Sequence, residues 1–498
     1  MTTPLTPMEH ALGALQADFG HKNAHNDLLI PGQVSLEQHD FPEVLEVYTD
    51  ESRLPAGVAQ WMRVPLHTII SKLVSTSKFV GTKPQRLHVN PGRPFDTEFD
   101  LVELADATAQ HMRICGCWER PFVQHEGCAW LDGQGRRFFV ERPPDDGRLR
   151  GCLIAGAIGD ALGANTENLP MEVVHERHGP DGITDLPDEA HITDDTQMTL
   201  FTFEAVIRAH VQERTTGTFD LTGVTQHAYQ RWLHTQKTPW DKARGVASTL
   251  EEPDGWLVGH RDLFRMRAPG LTCTSALQEY ARTGEQATIT KPVNNSKGCG
   301  GAMRVAPVAF VSDDPGRVFA LAAANAALTH GHPSGYLSAG VFAVLVHQLL
   351  RGKGLLEAVE TAMSSLARRE GHEEVAQAIE HAIELAALGD PSVARVEELG
   401  RGGVGDTALA IALYAALVTD DPNEALLISV NHGGDSDSTA SMCGNLVGAL
   451  HGIDKIRPDW VERVQFRDVI ERMAADWAAE THPLPPVTQE WFVRYPPT

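Results

Sequence analysis

Apolar residues recur every three or four positions through most of the chain after residue 148, which is the spacing of an amphipathic helix. Gly and Pro separate the stretches in which this pattern is clearest. These stretches are QMTLFTFEAVIRAH (197–210), VFALAAANAALTH (318–330), SGYLSAGVFAVLVHQLL (334–350), GLLEAVETAMSSLARR (354–369), EEVAQAIEHAIELAAL (373–388) and DTALAIALYAALV (406–418). The pattern predicts an all-α domain over residues 148–480.

The earlier part of the chain has a different pattern. CAWLDGQGRRFFVERP (128–143) predicts two short strands around an Asp-Gly-Gln-Gly turn, whereas DLVELADATAQHMRI (100–114) predicts a helix. The run Pro143–Gly147 then interrupts regular structure. We therefore expect a smaller mixed α/β domain of unknown role at 1–145, and a Pro-rich tail at 481–498 that runs extended over the surface.

The length and the net charge of the chain limit which classes of protein it can belong to. At 498 residues, two or three domains are expected. The 42 basic and 66 acidic residues give a net charge of −24, which argues against nucleic acid as a non-specific partner and against anionic membranes. No run approaches the roughly 18 apolar residues of a membrane span, and the N-terminus lacks a signal pattern. We expect a cytoplasmic protein with no membrane partner.

The cysteines do not suggest a disulfide framework. They number seven, an odd count, spread over a long chain: Cys115, Cys117, Cys128, Cys152, Cys273, Cys299 and Cys443. The first three could hold zinc together with His125, but their C-x-C spacing is atypical of zinc motifs, so reduced thiols are favoured.

Two acidic runs offer more oxygen than local structure needs. Asp194 and Asp195, between two threonines in ITDDT (192–196), open a predicted helix, and helix capping alone could explain them. GGDSDST (433–439) follows a helix that Asp421 and Pro422 are predicted to begin. Capping the next helix requires one side chain, yet this run supplies two carboxylates and three hydroxyls.

A third segment, GCLIAGAIGDALGANTENLP (151–170), combines small residues with two acids. Gly151, Ala155, Gly159 and Gly163 permit close helix packing, but neither Asp160 nor Glu167 is needed for it. If the three segments meet, their carboxylates would repel or protonate unless divalent cations are bound. Oxygen donors favour Mg²⁺ or Mn²⁺ over Zn²⁺, and five carboxylates could accommodate two ions. The five are Glu167, Asp194, Asp195, Asp435 and Asp437.

The combination of motifs resembles the ADP-ribosylglycohydrolase family, which includes dinitrogenase reductase-activating glycohydrolase and ADP-ribosylarginine and ADP-ribosylserine hydrolases. Five motifs occur in the family's order over roughly residues 148–475. They are GAIGDALGANTE (156–167), GITDLPDEAHITDDTQMTL (182–200), NNSKGCGGAMRVAPVAF (294–310), ALTHGHPSGYLSAG (327–340) and NHGGDSDSTASMCGNLVGALHG (431–452).

The resemblance implies an orthogonal all-α fold around a binuclear Mg²⁺ centre, with Mn²⁺ as an alternative ion. The metal ligands it implies are Glu167, Thr193, Asp194, Asp195, Asp435, Asp437 and Ser438. The catalytic candidates are Glu167, Asp195 and Asp435. The substrate-binding candidates, in and beside the Gly-rich loop NSKGCGGAMR, are Ser296, Gly298, Gly300, Gly301 and His330.

The resemblance also implies an enzyme that hydrolyses the glycosidic bond between ADP-ribose and a modified macromolecule, with an ADP-ribosylated protein as its partner. ITDDTQM and GDALGA are nearer to the bacterial arginine-type enzymes, so an arginine linkage is expected, with serine or nucleic-acid linkages left open. Three alternatives remain: a non-catalytic ADP-ribose-binding relative, a metal-dependent phosphohydrolase, and an immunity protein whose N-terminal domain binds an ADP-ribosyltransferase toxin or its target.

Overall fold

A computed structural model describes residues 146–481 and 485–497, together with the backbone of seven short strands before them. The strands are β1 (Asp27–Pro31), β2 (Val44–Val47), β3 (Trp61–Pro65), β4 (Arg86–Val89), β5 (Thr97–Asp100), β6 (Trp130–Leu131) and β7 (Arg137–Phe138). Strand β1 pairs antiparallel with β3, and β4 lies between parallel β2 and antiparallel β5. Strands β6 and β7 form an antiparallel pair, which confirms the predicted hairpin.

Some predictions fall on parts of the chain that the structure does not describe. The predicted helix at 100–114 lies outside the described residues apart from Asp100, which ends β5. The candidate zinc ligands Cys115, Cys117, His125 and Cys128 also lie outside them. Zinc binding there remains a prediction.

The described residues from Asp146 onward are helical, which confirms the all-α prediction. The helices begin with α1 (Asp146–Gly163), α2 (Met171–His178), α3 (Asp194–Thr216), α4 (Leu221–Thr235), α5 (Trp240–Arg244) and α6 (Leu271–Thr283). The next are α7 (Pro315–Ala327), α8 (Pro333–Leu350), α9 (Leu355–Leu366), α10 (Glu373–Ala387), α11 (Val393–Glu398) and α12 (Gly405–Val418). The last are α13 (Pro422–Val430), α14 (Ser436–His451), α15 (Pro458–Arg463), α16 (Arg467–Glu480) and α17 (Gln489–Arg494).

The chain divides into two compact units. One comprises Met1–Val140, Glu213–Thr218 and Thr481–Gln489, and the other comprises Glu141–Gln212, Phe219–Glu480 and Glu490–Thr498. The second unit contains both acidic runs and the Gly-rich loop.

The C-terminal tail was predicted to run extended over the surface, and this prediction is wrong for its last residues. They form α17, and both Trp491 and Tyr495 are buried. The indole of Trp491 donates to Glu480 at 3.0 Å, and the hydroxyl of Tyr495 donates to Asp476 at 2.8 Å. Burial of two aromatic side chains with satisfied polar atoms outweighs the preference of a Pro-rich segment for extended backbone.

One helix is more apolar than the sequence analysis allowed. Within the described residues, α8 is long enough, at 18 residues, and apolar enough to cross a membrane by length and composition. In the structure 89% of this helix is buried. It therefore forms part of the protein core.

Glycines bring α1 and α14 into close contact. A Cβ atom at Gly159 would overlap the carbonyl oxygen of Ala440, and one at Gly444 would overlap that of Ala155. Gly163 meets Asp437 in the same way at one end of the pair. Because positions rise along one helix as they fall along the other, the two helices run antiparallel. The end of α1 therefore lies beside the start of α14, and the close packing agrees with what the small residues of α1 permit.

Candidate metal centre and active site

The first acidic run is held by a side chain from another helix. Asp160, on α1, accepts the Thr193 N–H at 2.9 Å and the Thr196 N–H at 3.0 Å. It also accepts the Thr196 hydroxyl at 2.5 Å. Asp160 thus accepts hydrogen bonds from the free N–H groups at the start of α3. The capping interpretation assigned this role to residues within the acidic run itself. Asp194 and Asp195 are therefore not required as caps.

Asp194 and Asp195 make other contacts. Asp194 Oδ2 accepts the N–H of Gly270 at 3.1 Å. The Thr193 hydroxyl lies 3.2 Å from Asp195 Oδ2, whereas Asp195 Oδ1 is buried without a hydrogen-bond partner. A buried carboxylate oxygen left without a partner is costly, and a bound cation would remove that cost.

The second acidic run lies at the start of α14. Asp435 occupies the N-cap position of this helix, yet its side chain makes no capping hydrogen bond. Asp437 Oδ1 accepts the N–H of Ser438 at 2.9 Å. The capping interpretation of Asp435 is therefore wrong, because this carboxylate is directed elsewhere.

The turn that follows α1 brings Glu167 to the second run. The Asn168 N–H donates to the carbonyl oxygen of Gly434 at 2.7 Å, and the Thr166 hydroxyl lies 3.2 Å from that of Ser436. Carboxylate oxygens of Glu167, Asp435 and Asp437 lie within 4.8 Å of one another. The structure thus brings together three predicted ligands that are 270 positions apart at the extremes.

The electrostatics of the cluster are unfavourable without cations. Burial, followed by the charges of neighbouring carboxylates, holds the pKa of Asp194, Asp195 and Asp437 well above its usual range. Burial and the charges of Asp435 and Asp160 also raise the pKa of Glu167. Each acid acts on the others, so the two acidic runs and Glu167 form one electrostatic unit.

These residues fit divalent cations. The cluster offers oxygen donors, an unpartnered carboxylate oxygen on Asp195, and carboxylates whose mutual repulsion bound cations would relieve. The hydroxyls of Thr193 and Ser438 lie next to these acids in the chain. The seven predicted ligands remain a prediction, but the donor chemistry matches a hard metal ion.

The Gly-rich loop wraps around His330. A Cβ atom at Gly298 would lie 3.1 Å from the imidazole Nε2, one at Gly300 3.2 Å from Cε1, and one at Gly301 3.3 Å from Nδ1. Ser296 Oγ accepts the N–H of Gly298 at 3.2 Å, so that amide is already bonded within the loop. A larger residue at these positions would crowd the ring, a reason for glycine that the sequence does not reveal.

A buried hydrogen-bond chain orients this imidazole. Arg304 donates to the Thr329 hydroxyl at 2.7 Å, and that hydroxyl lies 2.8 Å from His330 Nδ1. Burial, and secondarily the charge of Arg304, lowers the pKa of His330 to about 3. The ring is therefore neutral. If the Thr329 hydroxyl donates to Nδ1, the ring hydrogen resides on Nε2.

Several residues at the site are not among the ligands and substrate-binding residues that the sequence predicts. Asp160 positions the first run, and Cys299 donates its S–H to Asp435 Oδ2 at a distance of 3.0 Å. Burial raises the pKa of the Cys299 thiol well above its usual range, so it stays protonated. In the sequence, only the location of Cys299 between Gly298 and Gly300 indicated that it lies at the site. Gly270 and Thr272 lie outside every motif.

Comparison with known proteins supports the same interpretation. Residues 141–486 match the ADP-ribosylglycohydrolase family model. ADP-ribosylarginine hydrolase Tri1 of Serratia proteamaculans is 23% identical over 329 residues, 66% of this chain and 78% of that protein. ADP-ribosyl-[dinitrogen reductase] glycohydrolase of Rhodospirillum rubrum is 26% identical over 329 residues, 64% of this chain and 91% of that protein. ADP-ribosylhydrolase ARH3 of Gallus gallus is 25% identical over 384 residues, 69% of this chain and 95% of that protein. The chain therefore belongs to the ADP-ribosylglycohydrolase family, and it is a hydrolase of ADP-ribose-linked substrates.

Proposed function

We propose that this protein removes ADP-ribose from arginine side chains of modified proteins in a Mg²⁺-dependent reaction. The observation that carries the proposal is the convergence of Glu167, Asp435 and Asp437, whose carboxylate oxygens lie within 4.8 Å of one another. Such a cluster suits a divalent cation better than any organic group. The Mg²⁺ preference follows from oxygen donors alone, with Mn²⁺ as the alternative.

The arginine linkage is proposed from similarity and not from the charge of the cluster, because bound divalent cations would neutralise these carboxylates. The similarity to an ADP-ribosylarginine hydrolase supports this choice of acceptor.

The reaction breaks the bond at the anomeric carbon through an oxocarbenium-like state. Bound divalent cations would supply a water of lowered pKa and hold ribose oxygens. Glu167 is half-buried and lies beside Asp435 and Asp437, so it is the candidate that gives a proton to the departing guanidine. Asp195 and Asp435 are the candidates that accept a proton from the attacking water. The neutral His330, which is buried behind the Gly-rich loop, would hold that loop in place against the substrate.

The experiment compares arginine-, serine- and nucleic-acid-linked ADP-ribose as substrates with Mg²⁺, with Mn²⁺ and with EDTA. We expect release of ADP-ribose from the arginine linkage with Mg²⁺ and none with EDTA. Asp194→Ala and Asp435→Ala should lose more than the roughly 10–100-fold that removal of an outer-shell partner costs. Asp468→Ala, at a side chain that is 86% exposed, is the matched control and should keep full activity.

Three outcomes would contradict the proposal. Turnover that survives EDTA would refute the metal dependence, and full activity of Asp435→Ala would refute the site. Release of AMP or phosphate in place of ADP-ribose would indicate phosphohydrolase chemistry.

A further inference from the structure

One segment runs along the edge of the site and contacts both of its halves. The carbonyl oxygen of Arg267 accepts the N–H of Asp194 at 2.9 Å, and Gly270 donates back to the Asp194 carboxylate. Two residues later, the hydroxyl of Thr272 lies 3.2 Å from that of Ser296 in the Gly-rich loop. The chain between Arg267 and Thr272 therefore spans from the first acidic run to the substrate loop.

This segment exposes large apolar side chains beside the cleft. Leu271 is 86% exposed, although its neighbours on both sides bond to site residues. Met266 is 50% exposed and Phe264 is 38% exposed. Single exposed apolar residues are ordinary, but three within eight positions at the edge of an active site indicate a contact surface.

The same segment is basic in an acidic protein. Residues 261–271 contain three arginines and one aspartate, whereas the whole chain carries a net charge of −24. Arg261 and Arg265 are exposed. Asp262 approaches Arg265 only to 4.0 Å, and the two side chains are 70% and 59% exposed, so this pair does little to neutralise the arginine.

We propose that Phe264, Arg265, Met266 and Leu271, here called the docking strip, bind the acidic protein that carries ADP-ribose. The inference rests on the proposed function, because the macromolecule attached to a reacting ADP-ribose must lie at the mouth of the cleft. The strip belongs to the segment in which Arg267 and Gly270 bond to Asp194 and Thr272 contacts Ser296. Its charge is complementary to an acidic surface, and its apolar side chains provide area for contact.

The test separates the macromolecule from the ADP-ribose. The substrates are an acidic protein ADP-ribosylated on arginine, a basic protein modified in the same way, and ADP-ribosylated agmatine, a small guanidine with the same bond. We expect Leu271→Ser and Arg265→Glu each to lower kcat/KM for the acidic protein about tenfold, mainly through KM. Activity on the agmatine conjugate should change less than twofold. Arg265→Glu should lower kcat/KM for the basic protein by a smaller factor.

The matched control is Leu388→Ser, at a leucine that is 65% exposed and follows α10. It should leave all three activities unchanged. Added NaCl should reduce the wild-type preference for the acidic protein, because screened charges attract less.

Each other outcome overturns the proposal. An equal loss on the protein and on the agmatine conjugate would assign Leu271 to ADP-ribose itself. If neither variant lowers kcat/KM on the protein or on the agmatine conjugate, the strip has no binding role. If the wild type hydrolyses none of the substrates, the proposed function fails, and binding of the modified acidic protein in the presence of Mg²⁺ decides separately. Undiminished binding by Leu271→Ser would then refute the docking strip.

Discussion

Close packing of α1 against α14 can be tested with a single methyl group at Gly444. A Cβ atom there would overlap the carbonyl oxygen of Ala155 and lie 2.8 Å from the backbone nitrogen of Gly156. Ordinary contacts of a Cβ atom begin near 3.4 Å, and backbone atoms cannot rotate away. Gly444→Ala must therefore force the two helices apart.

The magnitude follows from two opposing effects. Alanine is favoured over glycine inside a helix by about 1 kcal/mol. Overpacking a well-packed core costs about 1–3 kcal/mol, or more where nothing can yield. With backbone on both sides, we expect the upper end of that range, so the free energy of unfolding should fall by at least about 2 kcal/mol.

The same displacement should weaken cation binding. The two helices place Glu167 beside Asp435 and Asp437, so their separation would move a carboxylate out of the cluster. The assay is urea denaturation of wild type and variant in parallel, with Mn²⁺ affinity measured by titration calorimetry.

Gly354→Ala is the matched control. Gly354 has φ −70° at the N-cap of α9, and the space that an added methyl group would occupy is open, so this change should alter stability by less than about 1 kcal/mol. A Gly444→Ala protein that is as stable as the wild type and binds Mn²⁺ equally well would refute the argument that this contact sets the site.

Two further predictions concern buried histidines. Burial lowers the pKa of His347, whose Nε2 lies 2.9 Å from the Ser312 carbonyl oxygen, to about 3, below its unfolded value of 6.5. The stability that neutral His347 contributes is therefore complete above pH 6.5 and is lost as the pH falls towards 3. In that window, His347→Gln should reduce the slope of the unfolding free energy against pH by about 1.4 kcal/mol per pH unit. An unchanged slope would contradict the buried neutral state. Thr329→Val should change the tautomer of His330, read from its ring ¹⁵N shifts, and raise KM about threefold to tenfold, while Thr329→Ser preserves both. A wild-type ¹⁵N pattern in Thr329→Val would show that the hydroxyl does not set the tautomer.

Much of the helical unit could be predicted from the sequence, because a helix produces a regular pattern of apolar residues over neighbouring positions. The six clearest apolar stretches each coincide with a helix, and Asp421 caps α13 by accepting the N–H of Asn423 at 2.8 Å, as predicted. The glycines of α1 pack closely, as their spacing suggested, but the structure was needed to show that the partner is α14. The two acidic runs could be recognised because they contain more side-chain oxygen atoms than helix capping requires. The last residues of the tail escaped prediction, because only distant packing partners favour a helix there.

The sequence by itself determined the helical class, the acidic residues and their hard-metal chemistry, since these depend on composition and on neighbours a few positions apart. Only the tertiary structure decided which side chains act together. Asp160 reaches across from α1 to cap α3, and Asp435 stands at a helix start without capping it. Cys299 and the exposed Leu271 owe their significance to residues far away in the chain. Such contacts are set by how helices pack, and packing depends on the three-dimensional fit of surfaces that no local pattern records.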